Sequence, residues 1–201
     1  LMMLVAQAIR AVEIFLDTDL DRSAAPRVCD KIRADKENIV LTGMPASGKS
    51  TVGLALADLL GRPFFDSDTE IVKKVGKSIP DIFAEVGEAG FRAMETEVIR
   101  EIAARNVGCV ISTGGGAILR DENIRALKRN GRIYFLDRPL EMLIPTPDRP
   151  LSQDNEAIRH RYDERYERYC ATCDVRISNG GTPDEAIAAI RKDFFHEDLS
   201  H

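Results

Sequence analysis

The chain has 201 residues, 44% of them hydrophobic, enough for one packed domain with a short remainder. Its 28 Lys and Arg against 33 Asp and Glu give a net charge of −5, which argues against a polyanion-binding surface and so against a nucleic-acid partner. No apolar run approaches a membrane span, no signal peptide is evident, and 4 cysteines are too few for a disulfide scaffold, so a cytoplasmic protein is expected.

In chain order, Leu4, Val5, Ala8, Ile9, Val12, Phe15 and Leu16 form an apolar stripe at helical spacing, and the polar stretch from Asp17 to Lys36 reads as a linker. Leu1 is not a start methionine, so either the chain was trimmed or its frame began earlier. The segment 1–36 is therefore set apart from a main domain at 37–197 and a tail at 198–201. Ile39 to Thr42 is a β-branched, apolar run of the kind buried in parallel sheets, and Thr51 to Leu60 has helical spacing and stops at Gly61.

Between them, Gly43 to Ser50 reads Gly-Met-Pro-Ala-Ser-Gly-Lys-Ser, a complete GxxxxGK[ST] phosphate-binding loop. Its glycines allow a tight turn in which successive N–H groups converge on a phosphate at a helix N-terminus. Gly43, Ala46, Ser47, Gly48, Lys49, Ser50 and Thr51 are the expected ATP contacts. Lys49 supplies a mobile charge for the outer phosphates, and the Ser50 hydroxyl suits Mg²⁺.

Further on, Pro63-Phe64-Phe65 leads a short strand into Asp66-Ser67-Asp68, and Ser78 with Asp81 caps a helix over IPDIFAEVG. A longer helix follows from Glu88 to Arg105, then a strand from Val107 to Ser112 that ends in Thr113 and Gly114-Gly115-Gly116. Arg132 to Leu136 is the next strand, Ala157 to Ala171 a charged helix, Val175 to Ile177 a last strand, and Pro183 to Phe195 a closing helix. Strict alternation predicts a three-layer α/β/α fold with a five-stranded, mostly parallel sheet. Ligands of such sheets gather beyond the carboxyl ends of the strands, so the loop, the Asp66 to Asp68 run and the triple glycine should share one crevice. There Asp66 would face the Mg²⁺ shell, Asp68 would accept a hydrogen bond from an attacking hydroxyl, and Arg92 would hold a carboxylate bidentately. The triple glycine would let the backbone approach a small polar ring. Cys170 and Cys173 have no second ligand pair, and His160, His196 and His201 join no catalytic constellation.

In combination these motifs resemble the shikimate kinase family, a group of P-loop enzymes with a nucleoside monophosphate kinase-like fold. The pattern runs in order through Gly43 to Ser50, Asp66-Ser67-Asp68, Phe91-Arg92, Gly114-Gly115-Gly116, Arg149-Pro150-Leu151, and Arg165 with Tyr169, over roughly four-fifths of the chain. The resemblance implies ATP-dependent phosphorylation of the shikimate 3-hydroxyl, with Mg²⁺ as the cofactor. It casts Asp68, Arg92, Gly114, Gly115, Gly116 and Arg165 as shikimate contacts, Ser50 and Asp66 as the metal shell, and Lys49, Asp68 and Arg149 as catalytic. It puts the triple glycine where related enzymes carry a Walker B acid, and the Asn179-Gly180-Gly181 loop with Pro183 near the adenine. One departure is the lid, which here reads LEMLIPTPD from Leu140 to Asp148, short and without a basic residue before Arg149.

The N-terminal stripe has two readings. It is an amphipathic helix packed on the kinase or a neighbour, or, since LMMLVAQAIRAVEIF is similar to the last helix of shikimate dehydrogenase, the end of a fused dehydrogenase domain whose site included Gln7. The kinase domain is otherwise expected to be monomeric. Two alternatives stay open at this level: a related small-molecule kinase of the gluconate type, and a non-catalytic binding module.

Overall fold

The computed structural model describes residues 34–144 and 155–195. The N-terminal stripe with Gln7, the lid beyond Ile144, Arg149 and the tail fall outside the described residues. Strand β1 (Asn38–Thr42) is buried at every position and lies at the centre of a five-stranded sheet of order β2-β3-β1-β4-β5. The other strands are β2 (Phe64–Asp66), β3 (Val110–Ser112), β4 (Gly131–Asp137) and β5 (Val175–Ser178), and every pairing is parallel. A strand with neighbours on both sides and helices on both faces has no solvated side, which is why β1 is apolar without alternation.

Successive residues of β1 still point to opposite layers. Ile39 and Leu41 pack with α1 (Lys49–Leu60) and α6 (Pro183–Phe195), around Leu56, Ile187 and Ile190. Val40 faces the other layer, formed by α2 (Ser67–Val75), α3 (Ile79–Arg105) and α4 (Asp121–Lys128), with Ile71, Ile99 and Leu127. A third cluster of Met44, Ile118, Phe135, Leu143, Ile158 and Tyr169 lies under α5 (Asn155–Thr172). Helix α1 comes close to the sheet because position 53 is glycine; a Cβ there would stand 2.7 Å from the Phe64 ring.

The structure departs from the expected elements in two places. Helices α2 and α4 are not among the expected elements, each being short and resting on few buried side chains: α2 buries only Ser67 and Ile71, and α4 only Asn123 and Leu127. Strand β3 begins at Val110 rather than Val107, since Gly108 turns with φ 63° and Val107 is exposed. The two helices expected at Ile79 and Glu88 are both present and meet in α3 at Gly87, whose φ of 67° and ψ of −178° is not helical. That region of backbone space is open essentially to glycine alone.

The break at Gly87 sets the direction from which Glu88 and Arg92 enter the molecule. Gly87→Ala should therefore lower stability by about 1–3 kcal/mol in urea unfolding. An unchanged unfolding midpoint would show that the kink is not required.

Candidate active site

Since β1, β2 and β3 run parallel as neighbours, the segments that follow them emerge at one end of the sheet. The first is the glycine loop. Its backbone enters the left-handed region at Ala46 (φ 63°) and Gly48 (φ 85°), the former being the only non-glycine residue with positive φ among the described residues. Such a conformation costs of order 1 kcal/mol for a residue with a Cβ and is held here by the surrounding turn. Ser47 N–H closes that turn on Met44 O at 3.1 Å. Lys49 opens α1 and is buried, and its Nζ donates to Met44 O at 2.8 Å and Ser47 Oγ at 3.4 Å. The ammonium thus lies over the loop, beside the positive end of the helix, where an anion would be received. Thr51 is exposed one residue beyond Ser50 on the same helix.

Ser50 reaches across to β2, its Oγ donating to Asp66 Oδ2 at 2.7 Å. The two oxygens of Asp66 have separate duties. Oδ1 accepts the N–H groups of Asp68 and Thr69 and caps α2, which leaves Oδ2 for Ser50. At the end of β3 the Ser112 hydroxyl stands 3.4 Å from Ser50 Oγ. This corner therefore gathers one carboxylate and two hydroxyls beside the loop, all hard oxygen donors. Mg²⁺ takes few protein ligands and completes its shell with water and phosphate oxygens, so the donor set fits that ion. Ser112 is paired with Leu41 at the end of β3, and the triple glycine begins two residues later.

Beside this corner lies a buried charged pocket. Arg92 Nη1 donates to Glu95 Oε2 at 2.8 Å, and Nη2 to Glu88 Oε1 at 3.2 Å. The Glu95 side chain is wholly buried and that of Arg92 is 10% exposed. Burial works against the Arg92 charge, but Glu95 and Glu88 outweigh it and hold the guanidinium above its usual value. Burial pushes the Glu95 carboxyl up, against the opposing pull of Arg92. Arg92 Nε and Glu95 Oε1 have no hydrogen-bond partner. An unpaired polar atom at full burial is costly, and these two mark where a polar molecule would be accommodated.

The triple glycine forms the floor of this pocket. A Cβ at Gly114 would stand 2.6 Å from both Asp68 Oδ1 and Glu95 Oε1, and one at Gly116 would fall 2.2 Å from Arg92 Cζ. These glycines have no positive φ, so what matters is the missing Cβ rather than unusual backbone freedom. Gly114 N–H is fixed by Ser67 Oγ at 2.8 Å. Arg165, buried on α5, donates to Gly115 O at 3.3 Å, and the Tyr169 hydroxyl touches both Gly115 O (2.5 Å) and Gly43 O (2.9 Å).

The structure brings Asp68, Arg92, Arg165 and the glycine run together, next to Lys49, Ser50 and Asp66. Arg149 and its lid arm lie outside the described residues; of the lid, Leu140–Met142 forms one 3₁₀ turn and Leu143 is buried. Cys170 and Cys173 pack against the cluster around Tyr169, and no group of three His, Cys, Asp or Glu side chains placed to hold a metal occurs among the described residues. Sequence reasoning missed Glu95, although its i+3 spacing from Arg92 on a helix was a usable signal. It also missed Glu88, four residues before Arg92 and so marked by the same helical spacing, and Ser112, which no motif points to.

Comparison with known proteins agrees with this geometry. The shikimate kinase family model matches residues 45–194. A shikimate kinase of Clostridium botulinum is 42% identical over 161 residues, covering 78% of this chain and 96% of its own. One from Persephonella marina is 44% identical over 150 residues, 72% of this chain and 90% of its own. Among solved structures, shikimate kinase from Acinetobacter baumannii in complex with shikimate superposes with a TM-score of 0.77 at 36% identity, covering 85% of this chain and 99% of that one. With a family model along most of its length and relatives above 40% identity over nearly their whole length, the chain belongs to the shikimate kinase family.

Proposed function

We propose that the protein transfers the γ-phosphoryl group of ATP to the 3-hydroxyl of shikimate, giving shikimate 3-phosphate and ADP. The observation that carries this reading is the buried Arg92–Glu95 pair, set beside Arg165 and Asp68 and one strand away from the phosphate loop. Two arginines facing one small pocket suit a carboxylate on a hydroxylated ring better than a neutral sugar. A gluconate-type acceptor also carries a carboxylate, but it is a flexible chain and would lose more conformational freedom on binding than a ring.

Each residue has a task in this reading. The loop from Gly43 to Thr51 receives the phosphates on its N–H groups, and Lys49 turns from Met44 O to the outer phosphate. Arg92 and Arg165 clamp the shikimate carboxylate, with Glu95 and Glu88 holding the Arg92 fork in plane. Gly114, Gly115 and Gly116 let the ring approach the backbone. Asp68 accepts a hydrogen bond from the 3-hydroxyl, aligning its oxygen with the γ-phosphorus and drawing off its proton as the bond forms. Ser50 and, through water, Asp66 would hold Mg²⁺, which would supply positive charge to neutralise the phosphates. Lys49 and Arg149 add positive charge as the phosphoryl group moves. Arginine at 149 is assigned this role from the motif alone, and a cytoplasmic, monomeric kinase is inferred from sequence alone. The resemblance of residues 1–15 to the last helix of shikimate dehydrogenase fits a fused enzyme that makes the kinase's substrate, and it rests on sequence alone.

Coupled ADP release from MgATP, measured with shikimate, quinate and gluconate, tests the reading directly. Turnover should depend on shikimate; equal rates with gluconate, or binding of both ligands without ADP, would contradict it. Lys49→Ala should lower kcat about a hundredfold or more while the protein stays folded. Retained turnover in that variant would remove the loop from the mechanism. Arg92→Lys keeps the charge beside Glu95 but loses the fork, so the KM for shikimate should rise roughly 10- to 100-fold with little change in that for ATP. An equal rise in both constants would point to a general distortion instead.

A further inference from the structure

We propose that Asn179 is a positioning residue for the ATP phosphates, acting through the Ser47–Gly48 peptide of the glycine loop; this deepens the phosphate-loop reading and rests on it. Asn179 follows the last residue of β5 and is 3% exposed. Its backbone N–H donates to Asp137 O at 2.9 Å, which continues the β4–β5 ladder and fixes where the side chain starts. From there Nδ2 donates to Ser47 O at 2.6 Å, and it stands 3.7 Å from where a Cβ on Gly48 would be. The amide must present its NH₂ here, since its oxygen would face another acceptor.

The consequence follows from peptide geometry. No cis peptide bond occurs among the described residues, so the Ser47–Gly48 unit is planar and trans, with C=O and N–H pointing in opposite directions. Holding the Ser47 carbonyl on Asn179 therefore turns the Gly48 N–H the other way, away from β5, as an anion-receiving loop requires. A peptide followed by glycine is the one most free to rotate, because glycine occupies φ on either side of zero at little cost. Gly48 sits at φ 85° and ψ 12°, and the rotated peptide would put a carbonyl oxygen where the phosphate belongs. The loop's own hydrogen bond, Ser47 N to Met44 O, restrains the other side of Ser47 and leaves this carbonyl to Asn179. The residue thus acts on the loop in this proposal, within the segment that the resemblance places near the adenine.

The test compares wild type with Asn179→Asp, which is isosteric but offers an acceptor to the Ser47 carbonyl, and with Asn179→Ser, which keeps a shorter donor. Inhibition constants against ATP are measured for inorganic tripolyphosphate, ADP and adenosine, with thermal melting as the folding control. In Asn179→Asp those for tripolyphosphate and ADP should rise roughly three- to tenfold, that for adenosine should hold, and the KM for shikimate should hold. Asn179→Ser should fall between wild type and Asn179→Asp, and it carries the comparison alone if Asn179→Asp does not fold. Unchanged tripolyphosphate inhibition in the variants overturns the proposal, as does loss of adenosine in step with ADP, which would place the residue at the base. Failure of tripolyphosphate to inhibit the wild type would instead overturn the phosphate-loop reading beneath it.

Discussion

The Tyr169 hydroxyl lies against the carbonyls of Gly43 and Gly115, one at the start of the phosphate loop and the other in the middle of the glycine run. A phenol has one proton to give, so both carbonyls close on a single donor, and the two loops stand at a separation set by one oxygen atom. The ring that carries it is fully buried and stacks on Phe135 of β4 at 4.9 Å, nearly parallel. Phe135 in turn is part of the strand paired with β1. Donor loop, acceptor floor and sheet are thereby tied through one side chain, which in-line transfer between two separately bound molecules requires.

The acceptor side depends on a second constraint, the burial of charge. Glu95 and Arg92 are out of water, where an ion pair is tolerated only when its remaining lone pairs and protons find partners. Here some of them do not: Arg92 Nε and Glu95 Oε1 are unpaired. Such a pocket favours a guest that brings both an acceptor for Arg92 Nε and a hydroxyl donor for Glu95 Oε1, while the other Glu95 oxygen keeps the arginine fork in place. The same crowding explains the glycines at 114 and 116, whose Cβ atoms would collide with Asp68, Glu95 and the Arg92 guanidinium.

Local motifs carried most of the legible information. The phosphate loop could be read outright because strand, turn and helix follow one another within about twenty residues, and Asp66 to Asp68 because strand ends of a parallel sheet share one side. Residues whose role depends on distant partners could not be read this way. Tyr169 is 126 positions from Gly43, and Asn179 is 132 from Ser47, so their contacts exist only once β5 and α5 have been laid beside the loop. Helices α2 and α4 escaped for another reason: each is short and rests on one or two buried apolar side chains, with the Asp66 cap supplying the start signal for α2. The glycine run was read for its closeness to a ligand, whereas it first makes room for the protein's own charged side chains.

The coupling of the two loops is most directly measured in Tyr169→Phe, which keeps the stacked ring and removes the hydroxyl. If Tyr169 holds donor and acceptor sites in register, the KM values for ATP and shikimate should rise together and kcat should fall, with the melting curve remaining cooperative. A change confined to one substrate, or none in either, would contradict the account.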